Sequence, residues 1–205
     1  MLLENLLRGL AETGYVIIPR FLKLSDTRKL IAECVARVKE GDLRPAAIGR
    51  GAGKNILPEI RTDNIHWLES HDLSESQTVY WDKMEDVRTR LNRSLFLGLI
   101  ELEAHLACFA PGGYYKPHLD CHKKTQSRIL SAILYLDEDW VESDGGQLRL
   151  YTDNINGVKG PSIDIFPEPG KLVIFVSAEF WHEVRKSSRF RHSLTGWFRG
   201  RELMN

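Results

Sequence analysis

Three side chains of this sequence could hold one metal ion: His118 and Asp120, separated only by Leu119, and His182 far downstream. Residues two apart on an extended strand point to the same face, so His118 and Asp120 are read as gripping an ion together. His182 follows a strongly apolar run at 171–176 and is read as the third ligand. Two imidazoles and one carboxylate make a facial set that leaves three cis positions of an octahedron open. That arrangement suits non-haem Fe(II), which needs room for a bidentate co-substrate and for O2. His-x-Asp also arises often by chance. The remaining histidines, His66, His71, His105, His122 and His192, have no comparable carboxylate partner in the sequence.

Arg191, Ser193, Thr195 and Trp197 alternate with His192 and Leu194 and so project to one face of a strand. An arginine that faces a small barrel interior needs an anion, because a buried guanidinium is costly when unpaired. That strand contains no acid. A dicarboxylate co-substrate would supply the anion through a two-pronged contact with the guanidinium; a carboxylate from another strand is the competing explanation. Ser131, Ile133 and Tyr135 likewise share a face, which lets a phenol donate to the same carboxylate.

These residues need elements to position them. Leu2, Leu3, Leu6, Leu7 and Leu10 describe an amphipathic helix that Gly14 ends, and a strand is expected over 15–22. Ser25 or Asp26 is expected to cap a second helix with the stripe Leu30, Ile31, Cys34, Val35 and Val38, stopped by Gly41. A third helix is expected over 83–97, carrying Met84, Val87, Leu91 and Leu95. From about residue 102 the period shortens. Apolar runs at 102–109, 129–136, 147–151, 171–176 and 192–198 alternate with Gly, Pro and Asp, which predicts an antiparallel sandwich or barrel. Helices precede strands, so they are expected on the outside of one sheet, within one domain spanning 1–205. Gly49, Gly51 and Gly53 with Lys54 lack the spacing of a phosphate loop and predict a mobile loop instead.

Lys plus Arg and Asp plus Glu both number 28, and this balance argues against a nucleic-acid partner. No apolar run reaches the length of a membrane span, and the leucine-rich start lacks a basic leader, so neither a membrane partner nor secretion is expected. Cys34, Cys108 and Cys121 form no CxxC pair, which fits a cytoplasmic location.

His118-Leu119-Asp120, His182 and Arg191 together resemble the signature of the Fe(II)- and 2-oxoglutarate-dependent oxygenases. Within that family the sequence is most similar to the EGL-nine type, the hypoxia-inducible-factor prolyl hydroxylases and their bacterial relatives. The similarity runs through Ile133-Leu134-Tyr135-Leu136, Asp139-Trp140, Gly145-Gly146-Gln147-Leu148-Arg149, His182-Glu183-Val184 and Thr195-Gly196-Trp197-Phe198. Upstream, Ile60-Arg61-Thr62-Asp63 and Ile65-His66-Trp67-Leu68-Glu69 resemble the strand that follows the group's substrate loop.

The resemblance implies a double-stranded β-helix, a distorted jelly roll, over about 100–205. Residues 1–99 would supply buttressing helices and the substrate loop around Gly49, Gly51 and Gly53. It makes His118, Asp120 and His182 the iron ligands. Arg191 and Tyr135 would hold the far carboxylate of 2-oxoglutarate, with Ile133, Leu148, Thr195, Trp197, Ser193 and Phe109 around it. Asp63 and Arg128 would form an ion pair anchoring the loop before the site. Phe109 departs from the animal enzymes, which carry a tyrosine there, and Ser193 gives an Arg-x-Ser pair they lack.

The implied activity is hydroxylation of a prolyl residue in a flexible loop of a partner protein, using Fe(II), 2-oxoglutarate and O2, releasing succinate and CO2, with ascorbate in support. A small-molecule or free amino-acid hydroxylase of the same superfamily is one alternative. A non-catalytic jelly-roll module that holds a metal as a sensor is another, and a dicarboxylate pocket argues against it because a structural metal needs none.

Overall fold

The computed structural model describes residues 2–49, 55–121 and 127–201. Helix α1 (Leu2–Glu12) buries Leu6 and Leu10 and leads into strand β1 (Tyr15–Ile18). This strand is shorter than expected, because Pro19 and the positive φ of Arg20 break the extended run before Leu22.

Helix α2 (Leu24–Glu40) starts two or three residues earlier than a Ser25 or Asp26 cap would allow. Phe21 and Leu22 are anchored in the core and Leu22 N–H donates to the Gly170 carbonyl at 3.3 Å. The chain therefore turns at once, with Lys23 extended at the cap position and offering no side-chain cap. Gly41 ends the helix as expected, with φ of 72° and its N–H turned back to the last-turn carbonyls. The buried stripe is narrower than the sequence suggested: Leu30 and Cys34 are sealed, while Val38 is exposed.

Helix α3 (Glu75–Leu95) also begins earlier than the apolar spacing indicated. Ser74 caps it. Its Oγ accepts the Gln77 N–H at 3.2 Å, and Gln77 Oε1 accepts the Ser74 N–H at 3.4 Å, a reciprocal box. Glu33 of α2 accepts from Ser74 Oγ at 2.6 Å, from Ser76 Oγ at 2.8 Å and from Gln77 Nε2, which ties the two helices together. The first turns of α3 are polar because their partner is a carboxylate, so an apolar-period reading starts too late.

The remaining strands are β2 (Arg44–Pro45), β3 (Asn64–Trp67), β4 (Glu101–Phe109), β5 (Tyr115–His118), β6 (Arg128–Tyr135), β7 (Leu148–Tyr151), β8 (Ser162–Ile165), β9 (Leu172–Val176), β10 (His182–Val184) and β11 (Arg191–Arg199). They form two antiparallel sheets, ordered β1-β9-β6-β11-β4-β3-β2 and β5-β10-β7-β8. The apolar runs expected as strands are β4, β6, β7, β9 and β11. Strands β2, β5, β8 and β10 have two to four residues and carry no continuous apolar run to mark them in the sequence.

The helices pack on one face of the larger sheet over Leu106, Leu130, Leu134, Leu194 and Phe198. Its other face meets the smaller sheet over Ile133, Tyr135, Leu148, Leu150 and Phe175. The result is the jelly roll that the resemblance implied. Alternation along β11 divides the two faces as expected, with Leu194 and Phe198 toward the helices, and Arg191, Ser193, Thr195 and Trp197 lining the cavity between sheets. No helix among the described residues is long and apolar enough to cross a membrane.

Ser74→Ala removes the α3 cap and one donor to Glu33. It should cost about 1–2 kcal/mol in urea unfolding without changing the denaturant slope. An unchanged midpoint would show that Ser76 and Gln77 alone fix the start of α3.

Candidate active site

The smaller sheet builds the metal-binding geometry. His118 is the last residue of β5 and His182 the first of β10, and the antiparallel register sets them directly opposite each other. Asp120 lies in the bend after β5, not on the strand, so the expectation that His118 and Asp120 share a strand face is corrected. The chain turns after His118, and this turn brings the carboxylate between the two rings. Asp120 Oδ1 is 3.5 Å from His118 Nε2, and Oδ2 is 3.4 Å from His182 Nε2. One ligand atom from each residue falls within 4.8 Å of the others.

Both imidazoles are held the same way. His118 Nδ1 lies 2.8 Å from the Lys116 carbonyl and His182 Nδ1 lies 3.0 Å from the Phe180 carbonyl. A carbonyl can only accept, so each Nδ1 carries the hydrogen and each Nε2 lone pair is left for the centre. Tyr115 stacks on His118 at 3.5 Å between centroids, and Phe175 meets His182 edge-on at 4.7 Å. Ser131 Oγ, reaching from the opposite sheet, donates to Asp120 Oδ2 at 2.7 Å. Burial, aided by His182, pushes His118 down to about 4. Burial opposes ionisation of Asp120, yet the two facing histidines hold its carboxyl well below the usual range. Neutral imidazole at His118 and carboxylate at Asp120 are the protonation states a divalent ion requires.

The second half of the site is on the larger sheet. Arg191 is only 1% exposed. Its Nε donates to the Gly146 carbonyl at 2.9 Å and its Nη1 reaches Ser193 Oγ at 3.4 Å, while Nη2 has no partner. No carboxylate among the described residues pairs with it, so the competing salt-bridge explanation fails there. Tyr135 Oη is also buried without a partner, and the guanidinium sits 5.2 Å from the Tyr135 ring and 5.4 Å from that of Phe109. Burial pushes the Tyr135 phenol up to about 12, so it remains a donor. Two unsatisfied donors, Arg191 Nη2 on a pocket walled by Phe109, Ile133 and Leu148 and Tyr135 Oη on the neighbouring strand, suit one carboxylate of a dicarboxylate. Gly146 makes the approach possible. Its φ is +67°, and a Cβ there would lie 2.8 Å from Trp140, 2.9 Å from Ser187 and 3.3 Å from Arg191 Cδ.

The expected Asp63–Arg128 ion pair is not formed. Asp63 is taken by Arg61, two residues earlier, through a two-pronged contact of 2.8 and 2.6 Å. Arg128 instead pairs with Glu103 at 2.6 Å and lies 3.6 Å over the Trp197 ring. The register explains this. Glu103 of β4 stands opposite Trp197 of β11, and Arg128 of β6 stands opposite Arg199, so Glu103 and Arg128 meet across the indole. Arg61 still bears on the site, since its guanidinium lies 4.3 Å over Tyr115, the ring stacked on His118.

An open cleft of about 1370 Å³ leads from His118 and Asp120 outward past Ile48, Gly49, Trp67, Trp181 and Trp197. Ile48 and Asn55 close the base of the glycine-rich segment by reciprocal backbone bonds of 2.8 and 2.9 Å, and Gly51 and Gly53 lie outside the described residues. Arg61, Tyr115, Trp67, Glu103 and His105 were missed as site residues. Arg61-x-Asp63 was a readable ion-pair signal. His105 was set aside for want of a carboxylate neighbour, a criterion that finds only metal ligands.

Residues 104–199 match the model of the 2OG-Fe(II) oxygenase superfamily. The structure superposes on a prolyl-4-hydroxylase from Pseudomonas putida with a TM-score of 0.86 and 38% identity, covering 98% of this chain and 100% of that one. A prolyl hydroxylase from Trichoplax adhaerens, solved with a peptide of the hypoxia-inducible factor oxygen degradation domain, shares the fold at a TM-score of 0.84 and 24% identity, covering 97% and 89% of the two chains. The prolyl 3-hydroxylase OGFOD1 of Xenopus laevis is 38% identical over 112 residues, which is 51% of this chain. That match spans only 22% of the Xenopus protein.

The chain belongs to the 2OG-Fe(II) oxygenase superfamily. It is accordingly an oxygenase that depends on Fe(II) and 2-oxoglutarate.

Arg191→Lys keeps the charge and loses the planar fork. A loss of about 1.5–3 kcal/mol should weaken 2-oxoglutarate binding on the order of ten- to a hundredfold. An anaerobic titration of the Fe(II) protein, followed by its visible charge-transfer band, reads this directly. An equal midpoint in wild type and variant would make Arg191 a structural arginine only.

Proposed function

We propose that this chain hydroxylates a prolyl residue of a partner protein. The observation that carries the oxygenase half of this reading is the pairing of an open His118–Asp120–His182 set with two buried, unsatisfied donors, Arg191 Nη2 and Tyr135 Oη. The full-length likeness to the Pseudomonas putida prolyl-4-hydroxylase supports the prolyl half.

His118, Asp120 and His182 hold Fe(II). Each imidazole is pre-aimed by its backbone carbonyl, and the carboxylate is steadied by Ser131, so little conformational freedom is lost on binding the ion. Arg191 and Tyr135 take the far carboxylate of 2-oxoglutarate. Ile133, Leu148, Phe109 and Thr195 enclose its chain, Ser193 steadies the guanidinium, and Trp197 stands at the mouth. When bound, Fe(II), 2-oxoglutarate and O2 supply the oxidation that places a hydroxyl on a C–H bond, with succinate and CO2 as co-products.

The residues of this chain orient the reactants, keep the inner cavity dry and leave the cleft open for a polypeptide. The cleft of about 1370 Å³ is far larger than a free amino acid requires, which favours a protein substrate over a small one. Gly49 borders that cleft, where the bound loop of the partner would lie. Asp63 with Arg61, and Arg128 with Glu103, brace its floor. Ascorbate supports turnover by keeping iron reduced, and the cytoplasm, with its protein substrates and reducing poise, is the working compartment.

The test is mass spectrometry of a cell lysate incubated with the Fe(II) protein and 2-oxoglutarate. One added oxygen on a proline of a particular protein is the expected result, and oxygen added only to small metabolites would favour the free amino-acid alternative. Asp120→Ala should abolish both the modification and 2-oxoglutarate consumption with little change in thermal melting, since the two cores are built without the metal. Unfolding of that variant, or retained turnover, would contradict the assignment.

A further inference from the structure

Two ring nitrogens at the outer end of the cavity have no role in the machinery described so far. His105 on β4 is 2% exposed and its Nδ1 is buried without a hydrogen-bond partner. Trp197 on β11 is 5% exposed and its Nε1 is in the same condition. Both residues line the inner cavity and the outer cleft. Their ring centroids are 5.3 Å apart, and Trp67 closes over His105 edge-on at 4.9 Å. A buried polar atom left unpaired is costly, so two at one place point to a ligand that pairs with both.

That ligand is not the co-substrate. Phe109 stands opposite Arg191 in the register and His105 opposite Thr195. Four residues of strand, roughly 13 Å of backbone, therefore separate the Phe109 and His105 positions on β4. A five-carbon dicarboxylate spans on the order of 5 Å between its terminal carbons. Its ionised form offers only acceptors, so it has no N–H to give a neutral imidazole nitrogen that accepts.

Nor does the pair call for a charged group. Arg61, Asp63, Arg128 and Asp120 bear on His105, and burial, then Arg61, drives it down to about 3, so the ring is neutral throughout the physiological range. A neutral imidazole nitrogen that can accept and an indole N–H that must donate are complementary to an amide: a carbonyl for Trp197 and an N–H for His105.

We propose that His105 determines substrate specificity by binding, together with the Trp197 indole N–H, the main-chain amide groups that flank the target proline. This rests on the prolyl hydroxylase reading above. Because the proline nitrogen within a chain carries no hydrogen, the N–H facing His105 belongs to a neighbouring residue. The anchor thus reads the polypeptide around the ring, and the ring itself goes to the metal.

The experiment uses the prolyl peptide hydroxylated fastest in a synthetic proline-peptide library, with ester analogues that lack the N–H of the residue before or after the proline. For wild type, one ester should show a KM about tenfold above the amide peptide, with kcat little changed. His105→Phe keeps the ring stacking but has no nitrogen. It should raise KM for the amide peptide by a similar factor and no longer distinguish amide from ester. His105→Asn, which retains a polar atom at the Nδ1 position, should recover much of the loss. The 2-oxoglutarate midpoint should be the same in all three proteins, and thermal melting confirms that each is folded.

If His105→Phe binds the amide peptide as wild type does, or still discriminates against the ester, the anchor is wrong and the prolyl reading stands. If no library peptide gains oxygen on proline, the prolyl reading itself fails and takes the anchor with it.

Discussion

A guanidinium sealed between two sheets with one nitrogen unpaired is costly to maintain, and the architecture around Arg191 is organised to hold it there. Its Nε is fixed by the Gly146 carbonyl, which can approach only because residue 146 lacks a Cβ and takes a positive φ. Its plane is bracketed by the Phe109 and Tyr135 rings, each carried on a strand bonded to β11. The remaining Nη2 and the Tyr135 hydroxyl are both buried with no protein partner among the described residues. Isolated, that arrangement would be destabilising by several kcal/mol. Beside His118, Asp120 and His182, which could hold one metal ion, it suits an anion that would also reach that ion.

The two sheets divide the work. The smaller sheet contributes ligands, and it does so through a single register match, His118 opposite His182, with both rings aimed by backbone carbonyls two residues upstream. The larger sheet contributes Arg191 and Tyr135 on the inward row of β11 and β6. Ser131 bridges them, since it lies on β6 and donates to Asp120. Helices α1 to α3 take no direct part in this chemistry. They cover the outer face of the larger sheet and free its inner face for polar groups.

The sequence revealed more of the site than of its support. The alternation Arg191, Ser193, Thr195, Trp197 shows in the residue types because polar groups facing a barrel interior are unusual, and the structure places all four on the cavity. His118, Asp120 and His182 were legible through chemistry, yet the reason they meet was not the expected one. The carboxylate arrives from a bend, which no two-residue period encodes. The Asp63–Arg128 pairing failed because ion pairs depend on which side chains the register brings within reach, and Arg61 and Glu103 were closer. Strands such as β10, three residues long, hold their place through neighbours and not through their own pattern. The early start of α3 was hidden for a related reason, since its first turn is anchored by Glu33.

The central claim is that one cavity holds a metal on His118, Asp120 and His182 and, at the same time, a dicarboxylate on Arg191 and Tyr135. The most direct measurement is an anaerobic crystal structure with Fe(II) and 2-oxoglutarate, phased on the iron anomalous signal. The account predicts a single iron peak bonded to those three residues, with the keto-acid end of 2-oxoglutarate on the metal and its far carboxylate within hydrogen-bond distance of Arg191 Nη2 and Tyr135 Oη. A metal closed off by a fourth protein ligand, or an acceptor from the protein itself on Arg191, would contradict it.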